Sequence, residues 1–138
     1  MTIPLCYGVV YKQVHQTFLV TGTVACPRVA IYKWSVFKSD IEDSKIVYIG
    51  ETENLINRIK GYLRPGPTQQ TNIRINKLFK EYLEKGYKIS LHTLFFDKIK
   101  LGNIDIIYDE ISDNDIRKAL EQLFIVIYKK EEYTLLNR

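Results

Sequence analysis

Apolar residues run in short, nearly unbroken stretches through the first part of the chain and switch to helical spacing afterwards. Tyr7 to Gln13 and Gln16 to Ala25 are rich in Val, Tyr, Thr and Phe, which suit a pleated, half-buried surface, so both are expected to be strands. Arg28 to Phe37 and Lys45 to Glu51 read as the next two strands, with the polar stretch Lys38 to Ser44 as their hairpin connection. Thr52 is placed to cap a following helix, and Glu53 falls in its first turn, where a negative charge complements the helix dipole. Leu55, Ile56, Ile59, Tyr62 and Leu63 then recur at helical spacing. Gly61 weakens the end of this helix and Pro65-Gly66-Pro67 stops it.

A second helix is expected from about Thr71, with Ile75, Leu78, Phe79, Tyr82 and Leu83 on one face and Gly86 as the residue that ends it. Tyr87 to Phe96 reads as a strand. Ile104 to Tyr108 looks extended, although Gly102 and the surrounding charges interrupt the pattern. Ser112-Asp113-Asn114-Asp115 matches a capping box, and Ile116, Ala119, Leu120, Leu123, Phe124 and Ile127 follow along one helical stripe. The order strands, helix, helix, strand, helix predicts an α+β fold: a small antiparallel β-sheet flanked by helices, with extra N-terminal strands. Residues 1–138 are expected to form a single domain, of which residues 1–27 are an N-terminal strand extension.

Composition narrows the function only a little. A chain of 138 residues suffices for one core, burying roughly two thirds of its unfolded surface. Hydrophobic content of 46% beside 26% charge fits a globular domain. Twenty basic against 16 acidic side chains leave a net charge of +4, a mild pull toward polyanions that does not identify one. Cys6 and Cys26 form no CxxC pair and no histidine cluster accompanies them. That argues against zinc and for two free thiols in a reducing cytosol. Without a signal-peptide pattern or an apolar run near the ~18 residues of a membrane span, the chain is expected to be soluble, intracellular and cytoplasmic, with no membrane partner.

The candidate chemistry is distributed along the chain. Ala30-Ile31-Tyr32 ends the apolar run of one strand, and Tyr48-Ile49-Gly50 closes the next. Arg58 and Tyr62 lie one turn apart on the first helix, at the edge of its apolar stripe. Glu121 borders the stripe of the last helix, and Asn137 follows near the C-terminus. Singly, each has an ordinary structural account. Tyrosines favour half-buried sheets, Arg58 can pair locally with Glu53 or Asn54, and Tyr62 can pack under the following loop. Glu121 can pair with Arg117 at i, i+4, and Asn137 can belong to a frayed tail. The ordered set is what carries information.

That set resembles the GIY-YIG nuclease family over roughly Arg28 to Asn137. Tyr32 and Tyr48 stand where the two motif tyrosines stand, and Arg58, Tyr62, Glu121 and Asn137 match the helix arginine, the aromatic one turn later, the glutamate and the asparagine. Ala30 replaces the first glycine. Glu51 occupies a place where some relatives carry lysine, for which Lys33 or Lys60 is a possible stand-in. Gly8-Val9-Val10-Tyr11 mimics the first motif but lies too far from Tyr48 for a simple hairpin.

The resemblance implies a metal-dependent DNA endonuclease, restriction-like or phage-type, that hydrolyses phosphodiester bonds. It implies Mg²⁺, with Mn²⁺ as a substitute, held by Glu121. Arg58 would then stabilise charge on the phosphoryl oxygens, and Tyr32 would help take the proton of an attacking water. A free phenol titrates near 10, so Tyr32 is expected to need neighbouring donors (Tyr48, Tyr62, Arg58) to bring it toward neutrality. Between the two middle helices, Arg64, Gln69, Gln70, Asn72 and Arg74 present base-reading and phosphate-binding side chains, and Lys77 adds a nonspecific phosphate contact. A polar interhelix turn accounts for the same residues. A homodimer is expected if both strands are cut. The competing expectations are a non-catalytic nucleic-acid-binding domain and a structure-specific or RNA-directed nuclease.

Overall fold

A computed structural model describes residues 5–14, 17–21, 28–38 and 45–137, with side chains from residue 28 onward except that of Leu63. The chain runs β1 (Leu5–Val14), β2 (Thr17–Thr21), β3 (Ala30–Phe37), β4 (Ile46–Thr52), α1 (Leu55–Leu63), α2 (Gln70–Glu84), β5 (Lys88–Leu94), β6 (Lys98–Leu101), β7 (Ile104–Ile107), α3 (Asn114–Lys130) and β8 (Thr134–Leu135). Gln16, Gly22 to Ala25, the Ser39 to Ser44 connection, Cys26 and the Cys6 side chain lie outside the described residues.

The fold is α+β, and its main sheet is mixed. Six strands lie in the order β2-β1-β5-β3-β4-β8, antiparallel except at the edge, where β8 runs parallel to β4. The expected purely antiparallel sheet is corrected at this edge. After α3 the chain returns alongside β4, and the Thr134 and Leu136 amides donate to Lys45 and Val47 carbonyls at 2.6 and 2.7 Å. β6 and β7 form a separate hairpin around Gly102, whose φ of +62° suits a glycine turn. β1 pairs with β2 and β5, so Tyr11 is not on a neighbour of β4.

β3 and β4 are covered on both faces, which is why they read as continuous apolar runs. Ala30, Tyr32, Trp34, Val36 and Tyr48 pack with Leu55, Ile59, Tyr62, Ile75 and Phe79 of α1 and α2. Ile31, Val47 and Ile49 pack on the opposite face with Leu120, Phe124 and Tyr128 of α3. The period-2 alternation of the strands thus sorts side chains between two cores.

Three helix expectations shift. Asn54, not Thr52, caps α1: its side chain accepts from the Asn57 amide at 3.1 Å, while Thr52 ends β4 and braces Asn54. Glu53 therefore precedes the helix. Asp113 caps α3 through the Ile116 amide at 3.0 Å, so this end is a single-residue cap and not a box. On α3 the buried positions are Arg117, Leu120, Phe124 and Tyr128, with Ala119 exposed. Ile56 of α1 is likewise exposed. Gly86 ends α2 as expected, at φ +88°, with the Gly86 and Tyr87 amides donating to Leu83 and Tyr82 carbonyls.

Candidate active site

Three phenols meet under α1. Tyr32 and Tyr48 project from β3 and β4 onto the same face, and Tyr62 reaches down between them. Its ring is edge-on to both, at 6.3 Å from Tyr32 and 6.1 Å from Tyr48. The Tyr62 hydroxyl lies 2.8 Å from the Tyr32 hydroxyl and also hydrogen-bonds to Tyr48. Burial pushes the Tyr32 hydroxyl well above the ordinary phenol range; its bond to Tyr62 and the Arg58 charge offset only part of that. Tyr62 is pushed up further, by burial first and then by the two adjoining phenols. The expectation that neighbouring donors bring Tyr32 toward neutrality is thus corrected: desolvation outweighs them, and Tyr32 is a protonated hydrogen-bonding phenol at neutral pH.

Gly50 stands opposite Tyr32 across the β3–β4 ladder. The Tyr32 ring lies over it, so that a Cβ at position 50 would come to 2.4 Å from both Cζ and Oη of Tyr32. The glycine of Tyr-Ile-Gly is therefore the space the Tyr32 phenol occupies. Gly50→Ala is expected to displace Tyr32 from Tyr62 and to cost about 1–3 kcal/mol through overpacking. A lowered Tm and a changed near-ultraviolet tyrosine signal would report this; an unchanged signal would contradict it.

Asn137 holds the middle of the same motif. Its Oδ1 accepts from the Ile49 amide at 2.9 Å and its Nδ2 donates to the Ile49 carbonyl at 2.7 Å. The side chain continues the β4–β8 pairing by both of its groups, which a frayed tail would not do.

Glu121 approaches from α3 and is about half buried. Its carboxylate accepts from Gln122 Nε2 at 3.0 Å and from the Glu51 backbone amide. Burial raises its pKa, and the Glu51 charge adds to the rise; Gln122, the Glu51 amide and Arg58 pull the other way without cancelling it. Glu121 shares a groove of about 640 Å³ with Tyr48, Gln122, Lys129 and Asn137. Arg58, exposed on α1, acts electrostatically on both Glu121 and Tyr32. The residues singled out in the sequence thus converge, with Tyr48, Glu121 and Asn137 on the groove wall and Tyr32 and Tyr62 behind it.

Sequence reasoning missed the role of Arg117. It does not pair with Glu121 as the local account supposed. It is 1% exposed and donates through Nε to Glu51 at 2.6 Å, through Nη1 to the Ile111 carbonyl at 2.9 Å and through Nη2 to Asn114 Oδ1 at 2.6 Å. Glu53 stands 3.7 Å from Nη2. The signal was available: Arg117 lies in helical phase with Leu120 and Phe124, on the buried stripe. Glu51 therefore binds α3 twice, by its side chain to Arg117 and by its backbone amide to Glu121. Lys33 leans over the Tyr128 ring on the α3 side, 5.4 Å from its centroid.

The interhelix segment divides. Arg64, Gln70 and Lys77 are exposed. Asn72 is corrected as a base-reading candidate: it is buried, and its Nδ2 donates to Gln69 Oε1 at 3.1 Å. The same Gln69 oxygen accepts from the Gly66 amide at 2.9 Å, so Gln69 braces the turn although it is exposed. Arg74 donates to the Leu136 carbonyl at 3.0 Å and ties α2 to the C-terminal segment.

Among the described residues no group of three or more His, Cys, Asp or Glu side chains is placed to hold a metal ion. Among the described residues no helix is long and apolar enough to cross a membrane. No protein-family model matches the chain, and no curated protein or solved structure matches it. What fold and site define is an α+β domain with a hydrogen-bonded tyrosine cluster beside a half-buried carboxylate and an exposed arginine.

Proposed function

We propose that the protein is a metal-dependent endonuclease that hydrolyses phosphodiester bonds in DNA. The observation that carries this reading is the meeting of Tyr48, Glu121 and Asn137 on one groove, with Arg58 close enough to act on Glu121. Glu121 would hold Mg²⁺, or Mn²⁺ in its place. A single half-buried carboxylate suits a hard cation that keeps most of its own waters. When bound, the ion supplies Lewis-acid stabilisation of charge on the phosphate.

The chain's own residues do the remaining work. Arg58 can give two hydrogen bonds to phosphoryl oxygens as they gain charge. Tyr48 is the phenol on the groove wall and is placed to orient a water or a phosphate oxygen. Tyr32 and Tyr62, raised in pKa and buried, act through their hydrogen bonds to fix Tyr48. Asn137 fixes the backbone between Tyr48 and Gly50. One such site per chain cuts one strand, so a double-strand break would take two copies.

Plasmid and single-stranded DNA incubated with Mg²⁺ and with EDTA test the reading. Nicking in Mg²⁺ and none in EDTA is expected. Binding without nicking under any divalent ion would overturn it in favour of a non-catalytic binding domain. Substrate preference separates the loop residues. Gln70→Ala should relax sequence preference at unchanged stability. Gln69→Ala should lower stability by about 0.5–1.5 kcal/mol, because it removes the hydrogen bonds that tie the turn to the Asn72 amide. Cleavage-site sequencing beside thermal melts distinguishes the two, and an unchanged cleavage pattern for Gln70→Ala would remove it from the interface.

A further inference from the structure

A second cavity, of about 510 Å³, is lined by Asn54, Asn57, Arg58, Gln69, Asn114 and Lys118 over the Glu51–Arg117 pair, and Glu51, through its backbone bond to Glu121, links it to the groove. We propose that it is a subsite for the phosphodiester next to the one at Glu121 on the same nucleic-acid strand. The inference rests on the nuclease reading and extends it by fixing where the strand continues.

Its charge is the first support. Glu51 and Glu53, the carboxylates of the cavity, are both drawn onto the buried Arg117 guanidinium, at 2.6 and 3.7 Å. Arg58 and Lys118 form no ion pair within 4.0 Å among the described residues, and with Glu51, Glu53 and Arg117 they leave the cavity lining with a net positive charge. The donors are the second support. Arg117 takes the Asn114 oxygen, which leaves the Asn114 amide nitrogen as its donating edge. The starts of α1, α2 and α3 all border the cavity, through Asn54, Gln69 and Asn114. The start of α1 is capped by Asn54, but α2 has neither a side-chain cap nor an acidic residue in its first turn, so its dipole is uncompensated on this side. Position is the third. Glu51 lines this cavity and its backbone amide donates to Glu121, so the cavity and the groove adjoin, as places for neighbouring linkages of a strand would.

Lys118 supplies the test, because it is exposed and lies outside the groove. Lys118→Glu is compared with Lys130→Glu, an equal change of charge at the far end of α3. Binding of single-stranded and duplex oligodeoxynucleotides is measured by fluorescence anisotropy in EDTA across a salt series. Lys118→Glu is expected to weaken binding about tenfold beyond the control and to reduce the salt slope by about 1. Equal effects of the two variants, or no binding by the unmodified protein, overturn the subsite. If Lys118→Glu nicks DNA in Mg²⁺ with unchanged KM, the subsite falls and the nuclease stands. If binding depends on Lys118 but no divalent ion gives nicking, the nuclease reading falls and the subsite stands.

Discussion

Glu121→Gln should lose metal-dependent strand cleavage by roughly a thousandfold or more, since no other group in the groove replaces its carboxylate, while the fold is kept or slightly strengthened. The second half follows from linkage. The Glu121 carboxyl is pushed above its ordinary value, chiefly by burial. Its contribution to stability is therefore fully present below its unfolded pKa and is lost as pH rises through the folded one. At neutral pH the ionised side chain is a burden on the native state, and the neutral glutamine relieves it. Glu121→Gln should melt higher than the unmodified protein near neutrality, and the difference should shrink as the solution is acidified. A bound divalent ion reverses the sign. Mg²⁺ should raise the Tm of the unmodified protein and leave that of Glu121→Gln unmoved. Equal Mg²⁺ shifts in both would place the metal elsewhere, and surviving cleavage would remove Glu121 from the site.

Arg117→Ala should be the most destabilising substitution on α3. It would leave the Glu51 carboxylate, the Ile111 carbonyl and the Asn114 oxygen without their donor in a place where the arginine is 1% exposed. Breaking one side of a buried ion pair costs about 3–5 kcal/mol, and for a chain of this length that lowers Tm by roughly 10 °C or more. Arg117→Met combined with Glu51→Leu should recover a good part of the loss, because no charge is then stranded, although the Ile111 carbonyl stays unpaired. The double variant should still cleave poorly if the pair sets α3, and with it Glu121, against β4. Stability and activity recovering together would show that the pair matters only for folding.

The elements closest to the surface of the text were those with strong periodicity. β3, β4, α1 and α3 were legible because two cores demand continuous apolar strands and striped helices, and the stripes are long enough to outweigh local noise. The end of α2 was legible because Gly86 takes a positive φ that other residues avoid. Caps were not. Thr52 and Asn54 are both good caps by type, and only the observed extension of β4 through Thr52 decides between them. The phase of α3 was misjudged because hydropathy sets an arginine outside the core, whereas Glu51, distant in sequence, makes Arg117 cheap to bury.

The candidate site divides the same way. Tyr32, Tyr48, Arg58, Glu121 and Asn137 could be picked out as an ordered set of residue types, but only the β3–β4 register, with Tyr48 opposite Trp34, puts both tyrosines on one face. Their electrostatics could not be read from that order. Whether a phenol is lowered by donors or raised by burial depends on how much water reaches it, and this is settled by the packing of α1 across the sheet. Nor could the sequence tell that Asn72 is spent inside a turn or that Glu51 answers Arg117. Residue type and spacing determined which groups line each element, because side-chain direction follows from local backbone geometry. Only the tertiary structure decided what each group meets, because burial and pairing are made by segments far apart along the chain.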